Sequence, residues 1–193
     1  LKNPIAFPHE VKPAMEPLGL ISPVLDGRVT HFYEWRDAGC FAPKVSGGSM
    51  YRGEGFLSAV YFGFDLENIF FRLDPIRRKA DRGEGLRFEI CFTGPKRARI
   101  VFPFSFPPGE KPYFLFSGGG SDGAGETRFH DIAADRIIEL CLPFREPGFS
   151  PRDKILFFVR VVKGSLEAER YPRSGYLSFS VPDRNFESIN WQV

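Results

Sequence analysis

Trp35, Trp191, Tyr33, Tyr51, Tyr113, Tyr171 and Tyr176 supply flat rings, and acids or arginines stand beside several of them. Such rings stack on the apolar face of a sugar, while carboxylates, amides and guanidinium groups bond its hydroxyls. Carbohydrate binding is the chemistry these residue types support best. The contacts expected to carry it are Trp191, Tyr171, Arg173 and Tyr51, placed near sheet edges. The chain is aromatic throughout, so most rings must belong to a core. Trp35 lies between Glu34 and Arg36. On strand alternation it points opposite to both, as a buried Trp with its charges outside, and a sugar platform is the alternative reading.

Catalysis finds less support. Glycoside hydrolysis needs two carboxylates at a fixed separation across the scissile bond. Glu34, Asp37, Asp65 and Asp74 are present, but nothing in the sequence pairs them. Nucleophilic catalysis needs a base beside Ser or Cys. His9 falls in a Pro-rich stretch, His31 in an expected strand and His130 beside a glycine-rich loop, so no base is placed for a nucleophile. No Gly-Lys-Ser/Thr follows Gly118-Gly119-Gly120, which reads as a surface loop rather than a phosphate cradle. Asp122, Asp131 and Asp135 lack the spacing of a calcium loop. No catalytic residue, cofactor or metal is expected.

The elements that must position these groups follow from composition. Of 193 residues, 22 are Phe, 20 Gly and 17 Pro. Aromatic residues favour strands, whereas Gly and Pro interrupt helices and make turns. An all-β domain with many short strands is expected. The net charge of +2 is too small for a nucleic-acid surface. One basic stretch, Arg77 to Arg99, reads as a solvated strand face and loop, with polyanion contact as the alternative. Cys40, Cys91 and Cys141 are odd in number and widely spaced, which indicates neither a disulfide framework nor a zinc site. Cys91 and Cys141 lie in apolar runs and read as small core residues. Reduced cysteines suit a cytoplasmic location. No signal peptide opens the chain, and no apolar run is long enough to span a membrane.

Residues 1–23 contain five prolines and read as an extended linker or N-terminal extension that packs along the domain. Residues 24–193 form the domain itself. Val29 to Trp35 reads as a strand. Phe56 to Asp65 and Asn68 to Asp74 read as a hairpin turning at Asp65-Leu66-Glu67-Asn68. Ile69, Phe71 and Leu73 share one face and Phe70, Arg72 and Asp74 the other. Leu86 to Phe92, Ala98 to Phe102, Ile138 to Leu142 and Leu177 to Val181 alternate in the same way. Ile155 to Val162 is apolar on both faces apart from Arg160, the mark of a central strand. About nine or ten strands result, with a mobile loop from Ser117 to Gly125. The fold class is all-β, a two-sheet antiparallel β-sandwich of jelly-roll or immunoglobulin-like type.

An ordered series runs through the chain from about Pro23 to Val193. It starts with Asp26-Gly27, Trp35 beside Glu34, and the strand-turn-strand from Val60 to Asp74 with its Asp65-x-x-Asn68 bend. It continues through Ile138 to Phe144, Glu169 to Tyr176, Val181 to Phe186 and the terminal Asn190 to Val193. This series resembles the C-terminal β-sandwich module of family 57 glycoside hydrolases. More loosely, it resembles family 9 carbohydrate-binding modules and other DOMON-like sandwiches.

The resemblance implies a non-catalytic accessory domain beside a catalytic barrel, which binds α-glucan or braces its enzyme. Its partners would be α-glucan or another carbohydrate and the catalytic domain of the parent enzyme, with no nucleic acid and no membrane. The chain begins at Leu1 rather than Met, as expected of a processed protein or a module cut from a longer enzyme. Two other classes stay open. A purely structural domain would show an extended apolar area near the N-terminus and no sugar affinity. A small independent enzyme would show a deep pocket holding several ionisable groups.

Overall fold

Period-two alternation of Phe, Ile, Leu and Val folds this chain into two antiparallel sheets. The computed structural model describes residues 10–13, 15–31, 33–43, 55–76, 85–118 and 125–186. Five strands make the first sheet: β1 (Gly39–Phe41), β2 (Leu57–Phe64), β3 (Asn68–Pro75), β8 (Ile132–Ala134) and β9 (Ile138–Pro143). Their spatial order is β1-β2-β3-β9-β8.

The second sheet holds β4 (Leu86–Gly94), β5 (Ala98–Pro103), β6 (Phe114–Gly118), β7 (Thr127–Phe129), β10 (Lys154–Lys163), β11 (Leu166–Tyr171) and β12 (Leu177–Ser180). Its order is β11-β10-β4-β5-β6-β7, and β12 also pairs with β10. β11 takes residues 159–163 of β10 and β12 takes residues 154–157, so the two lie end to end along one side of that strand.

The inward faces meet in an aromatic core. Phe62 and Phe71 of the first sheet pack edge-on against Phe157 of the second, with centroids 5.1 and 5.3 Å apart. Phe71 also meets Phe92, and Phe64 stacks on Phe179. Each such ring, removed from water, contributes about 1.5–3 kcal/mol relative to leaving it exposed. The expected faces of β3 hold: Ile69, Phe71 and Leu73 are fully buried between the sheets, and Phe70, Arg72 and Asp74 face outward. The expected hairpin also holds. Its bend is tied by Asp65, whose Oδ1 accepts from the backbone N–H of Glu67 and Asn68 at 2.7 and 2.6 Å.

The segment that precedes β1 runs beside Tyr176 and along the edge strand β1 before crossing the outer face of the first sheet, where Ile21 packs with Trp35, Ala38 and Phe70. Val11 donates to Tyr176 O, Met15 and Cys40 exchange backbone hydrogen bonds, Leu18 donates to Asp37 O, and Ile21 donates to Phe64 O. The described part of the Pro-rich stretch, residues 10–13 and 15–23, thus packs along the sandwich as a strap. Ile21 seats directly on Gly63, where an added Cβ would lie 2.5 Å from Ile21 Cδ1.

The expected strand from Val29 to Trp35 does not form. Residues 33–37 are successive turns, with Glu34 donating to His31 O, Arg36 to Tyr33 O and Ala38 to Trp35 O. Twelve strands are present among the described residues, against the nine or ten expected. The additional ones are short or polar. β7 and β8 have three residues each, and β11 is mostly exposed and shows no apolar alternation. No helix among the described residues is long and apolar enough to cross a membrane.

Candidate functional site

Strand register lays out one outward-facing row on the first sheet. Cys40, Tyr61, Arg72, Glu139 and Ala133 stand opposite one another from β1 to β8. Arg72 stacks its guanidinium over Tyr61 at 4.6 Å and sends its fork to Asp74 at 2.7 and 2.9 Å. Glu139 is wholly buried, with 0% exposure. A buried carboxylate needs donors, and the strap brings three. Gly27 N and Asp26 N donate to Oε2 at 2.9 and 3.2 Å, and Trp35 Nε1 donates to Oε1 at 2.9 Å. Burial raises the Glu139 carboxyl above the ordinary carboxylate value. The three donors oppose that shift without cancelling it.

The turn at Asp26-Gly27 is built to reach this carboxylate. Asp26 closes it by accepting from Arg28 N at 2.8 Å and from the Thr30 hydroxyl. Gly27 has φ +73°, and its carbonyl accepts from Arg136 N and Ile137 N. A Cβ there would stand 2.6 Å from Asp135 N. Trp35 completes the contact by packing with Ile21, Ala38 and Phe70, its ring edge-on to Tyr61 at 6.3 Å. The indole is 5% exposed, so of the two readings of Trp35 the structure realises the buried one.

With Trp35 fixed inward, the turn around it opens a groove of about 410 Å³. Leu20, Ile21 and Ser22 form one wall, and His31, Tyr33, Glu34 and Asp37 the other. Tyr33 is 71% exposed, and Arg36 stacks over its ring at 5.7 Å. Asp37 accepts from Arg36 at 3.0 and 3.1 Å, which holds its carboxyl below the ordinary range. Glu34 Oε2 is buried and has no hydrogen-bond partner among the described residues. An unpaired buried oxygen is costly, and a ligand hydroxyl entering the groove would satisfy it. Chemically the groove offers one ring to stack on, two carboxylates, an imidazole and a hydroxyl.

The four residues expected to contact sugar are not brought together there. Tyr171 is 2% exposed and lies in the core. Its hydroxyl accepts from Phe56 N and Leu57 N at 2.8 and 2.9 Å and donates to Glu169, so its ring offers no stacking face. Arg173 is exposed in the loop after β11, where its carbonyl accepts from Arg170 at 3.4 Å. Trp191 and Tyr51 lie outside the described residues.

No family model, curated protein or solved structure matches the chain. The site therefore rests on its own geometry. Tyr33 belongs to the aromatic inventory of the sequence, and His31, Glu34 and Asp37 belong to its candidate acids and bases. The available signal was their density, four such groups within seven residues. A strand reading scattered them over two faces, while the turn gathers them on one.

Other candidate chemistry is weaker. Burial pushes the Cys91 and Cys141 thiols up to about 11 and about 12, which keeps them protonated and poor nucleophiles. His130 bonds the Pro112 carbonyl at 2.9 Å. Asp135 pairs with Arg28 at 2.6 Å, and Asp122 lies outside the described residues. No group of three or more His, Cys, Asp or Glu that could hold a metal ion occurs among the described residues.

Proposed function

We propose that this chain is a carbohydrate-binding accessory module that takes α-glucan in the groove between Ser22 and Tyr33. One observation carries the reading: an exposed Tyr33 ring stands on the wall of a groove that also presents Glu34, Asp37 and His31. A pyranose stacked on Tyr33 brings its hydroxyls to the carboxylates, and Glu34 Oε2 takes the donor it lacks. Neutral sugars suit the site, because Asp37 is already matched by Arg36. The likeness to the C-terminal module of family 57 glycoside hydrolases supports the same reading and makes a catalytic domain the natural neighbour. The role is to hold substrate near that domain.

A second reading has its own observation. Met15, Leu18, Val24 and Val29 are exposed apolar side chains on the same strap, with exposures of 46%, 66%, 62% and 58%. Exposed apolar side chains that join into one patch mark an interaction surface. In this reading the strap docks on the parent enzyme and binds no sugar.

Titration against amylose, glycogen, pullulan and short malto-oligosaccharides, followed by tryptophan fluorescence, separates the two. Saturable binding that Glu34→Gln weakens supports the glycan reading. Silence toward every α-glucan overturns it and leaves the docking surface.

A further inference from the structure

The outward face of the seven-stranded sheet carries a second arrangement, independent of the groove. Register sets Arg128, Leu115, Val101, Glu89, Arg160 and Arg170 opposite one another in a row from β7 to β11. Glu89 is 1% exposed and lies among three guanidinium groups. Arg160 donates to it at 2.7 and 2.9 Å and Arg87 at 2.8 Å. Burial alone would raise the Glu89 carboxyl. Hydrogen bonds from Arg160 and Arg87 outweigh that and hold it below the ordinary value.

The charges on this face do not balance. Arg99 comes only to 4.0 Å from Glu89 and 3.9 Å from Glu126, both beyond hydrogen-bond reach. Arg170 has no carboxylate partner among the described residues. It donates to the carbonyls of Gly175 and Arg173 at 2.8 and 3.4 Å and stacks on Phe158 at 4.0 Å. Arg128 stacks on Tyr113 at 4.1 Å, also without a carboxylate among the described residues. Among the described residues, five guanidinium groups thus face three carboxylates, Glu89, Glu126 and Glu167, and Glu89 is sealed beneath them. On the opposite sheet Arg72 and Asp74 match one to one. Glu89 bonds Arg160 and Arg87, the ring stacks fix Arg128 and Arg170, and donors fixed in advance bind an anion with little loss of entropy.

We propose that this face binds an acidic glycan, a chain of pyranose rings that each carry a carboxylate. Guanidinium groups recognise carboxylates in bidentate fashion. Neighbouring strands lie about 4.8 Å apart, close to the length of one pyranose unit in a chain, and β5, β4, β10 and β11 carry Arg99, Arg87, Arg160 and Arg170 in succession. Phe158 and Tyr176, on either side of Arg170 at 4.0 and 5.5 Å, add ring surface beside the charge. A net charge of +2 does not give the broad positive field that a nucleic-acid strand requires.

Calorimetric titration of the full chain with oligogalacturonate tests the assignment, with a malto-oligosaccharide and a single-stranded oligonucleotide of equal charge as comparators. Oligogalacturonate binds, and binding weakens as salt is raised. Arg99→Gln and Arg170→Gln each weaken it about tenfold or more, while Tyr33→Ala leaves it unchanged. Arg99 is the informative position, because its loss leaves Glu89 bonded to Arg160 and Arg87, and an unchanged melting temperature verifies the fold. Absence of oligogalacturonate binding, tighter binding of the oligonucleotide, or wild-type affinity in both arginine variants overturns the assignment.

Discussion

Trp35 donates its indole N–H to Glu139 at 2.9 Å across 104 positions of sequence. That bond joins the strap to β9 of the five-stranded sheet. It turns Trp35 inward and leaves Tyr33 and Glu34 on the groove wall. Trp35→Phe leaves Glu139 Oε1 without its donor, and Glu139→Gln sets an amide N–H against one of the three donors. Each change is expected to cost about 1–3 kcal/mol. The double variant should cost less than the sum of the two, because they break one contact. Urea unfolding of the four proteins measures this. Full additivity would show that the two side chains do not act together.

Two buried carboxylates should give opposite pH signatures. Glu139 has a folded pKa above its ordinary value of 4.5. The folded state holds that proton more tightly than the unfolded one. Its contribution is therefore present below the unfolded pKa and is lost as pH rises through the folded pKa. Glu89 has a folded pKa below its ordinary value. Its contribution is present above the unfolded pKa and is lost as pH falls through the folded one. Melting curves across pH for Glu139→Gln and Glu89→Gln, each subtracted from wild type, should slope in opposite directions. Parallel slopes would contradict the assigned environments.

Gly27→Ala tests the turn beneath Glu139. The left-handed φ of +73° costs a non-glycine residue about 1–3 kcal/mol, and the added Cβ meets Asp135 N at 2.6 Å. In a domain of this size each kcal/mol lowers the melting temperature by about 2–4 °C. A variant that melts with wild type would show that the turn is not held as described.

Tyr171→Phe separates architecture from recognition. Its hydroxyl accepts from Phe56 N and Leu57 N, and removal leaves the buried Leu57 N–H without that acceptor while Phe56 N keeps Glu169. Stability should fall by about 1–3 kcal/mol, with α-glucan affinity unchanged. Lost affinity at wild-type stability would return Tyr171 to the binding surface.

The sandwich was legible because its signals are local. Alternation in β3, β4 and β9 and the Asp65–Asn68 bend each lie within a few residues, and each formed as read. The site was not legible in the same way. The turn at 33–37 depends on Trp35 reaching Glu139 in β9, a contact no window of sequence contains. Without it, alternation around Trp35 reads as a strand. The burial of Tyr171 is not legible in the sequence for a related reason. Its neighbours Arg170 and Pro172 suggest an exposed edge, but the hydroxyl is claimed by the backbone at the start of β2. Buried Glu89 and Glu139 both alternate as solvent-facing positions, and only their distant partners draw them inside.

The most direct measurement is calorimetric titration of wild type and Tyr33→Ala with malto-oligosaccharides, beside a melting curve for each. Tyr33 is exposed, so its truncation should leave the melting temperature unchanged while abolishing saturable binding. Absence of binding in wild type, or equal binding in both proteins, would contradict the assignment of the groove to α-glucan.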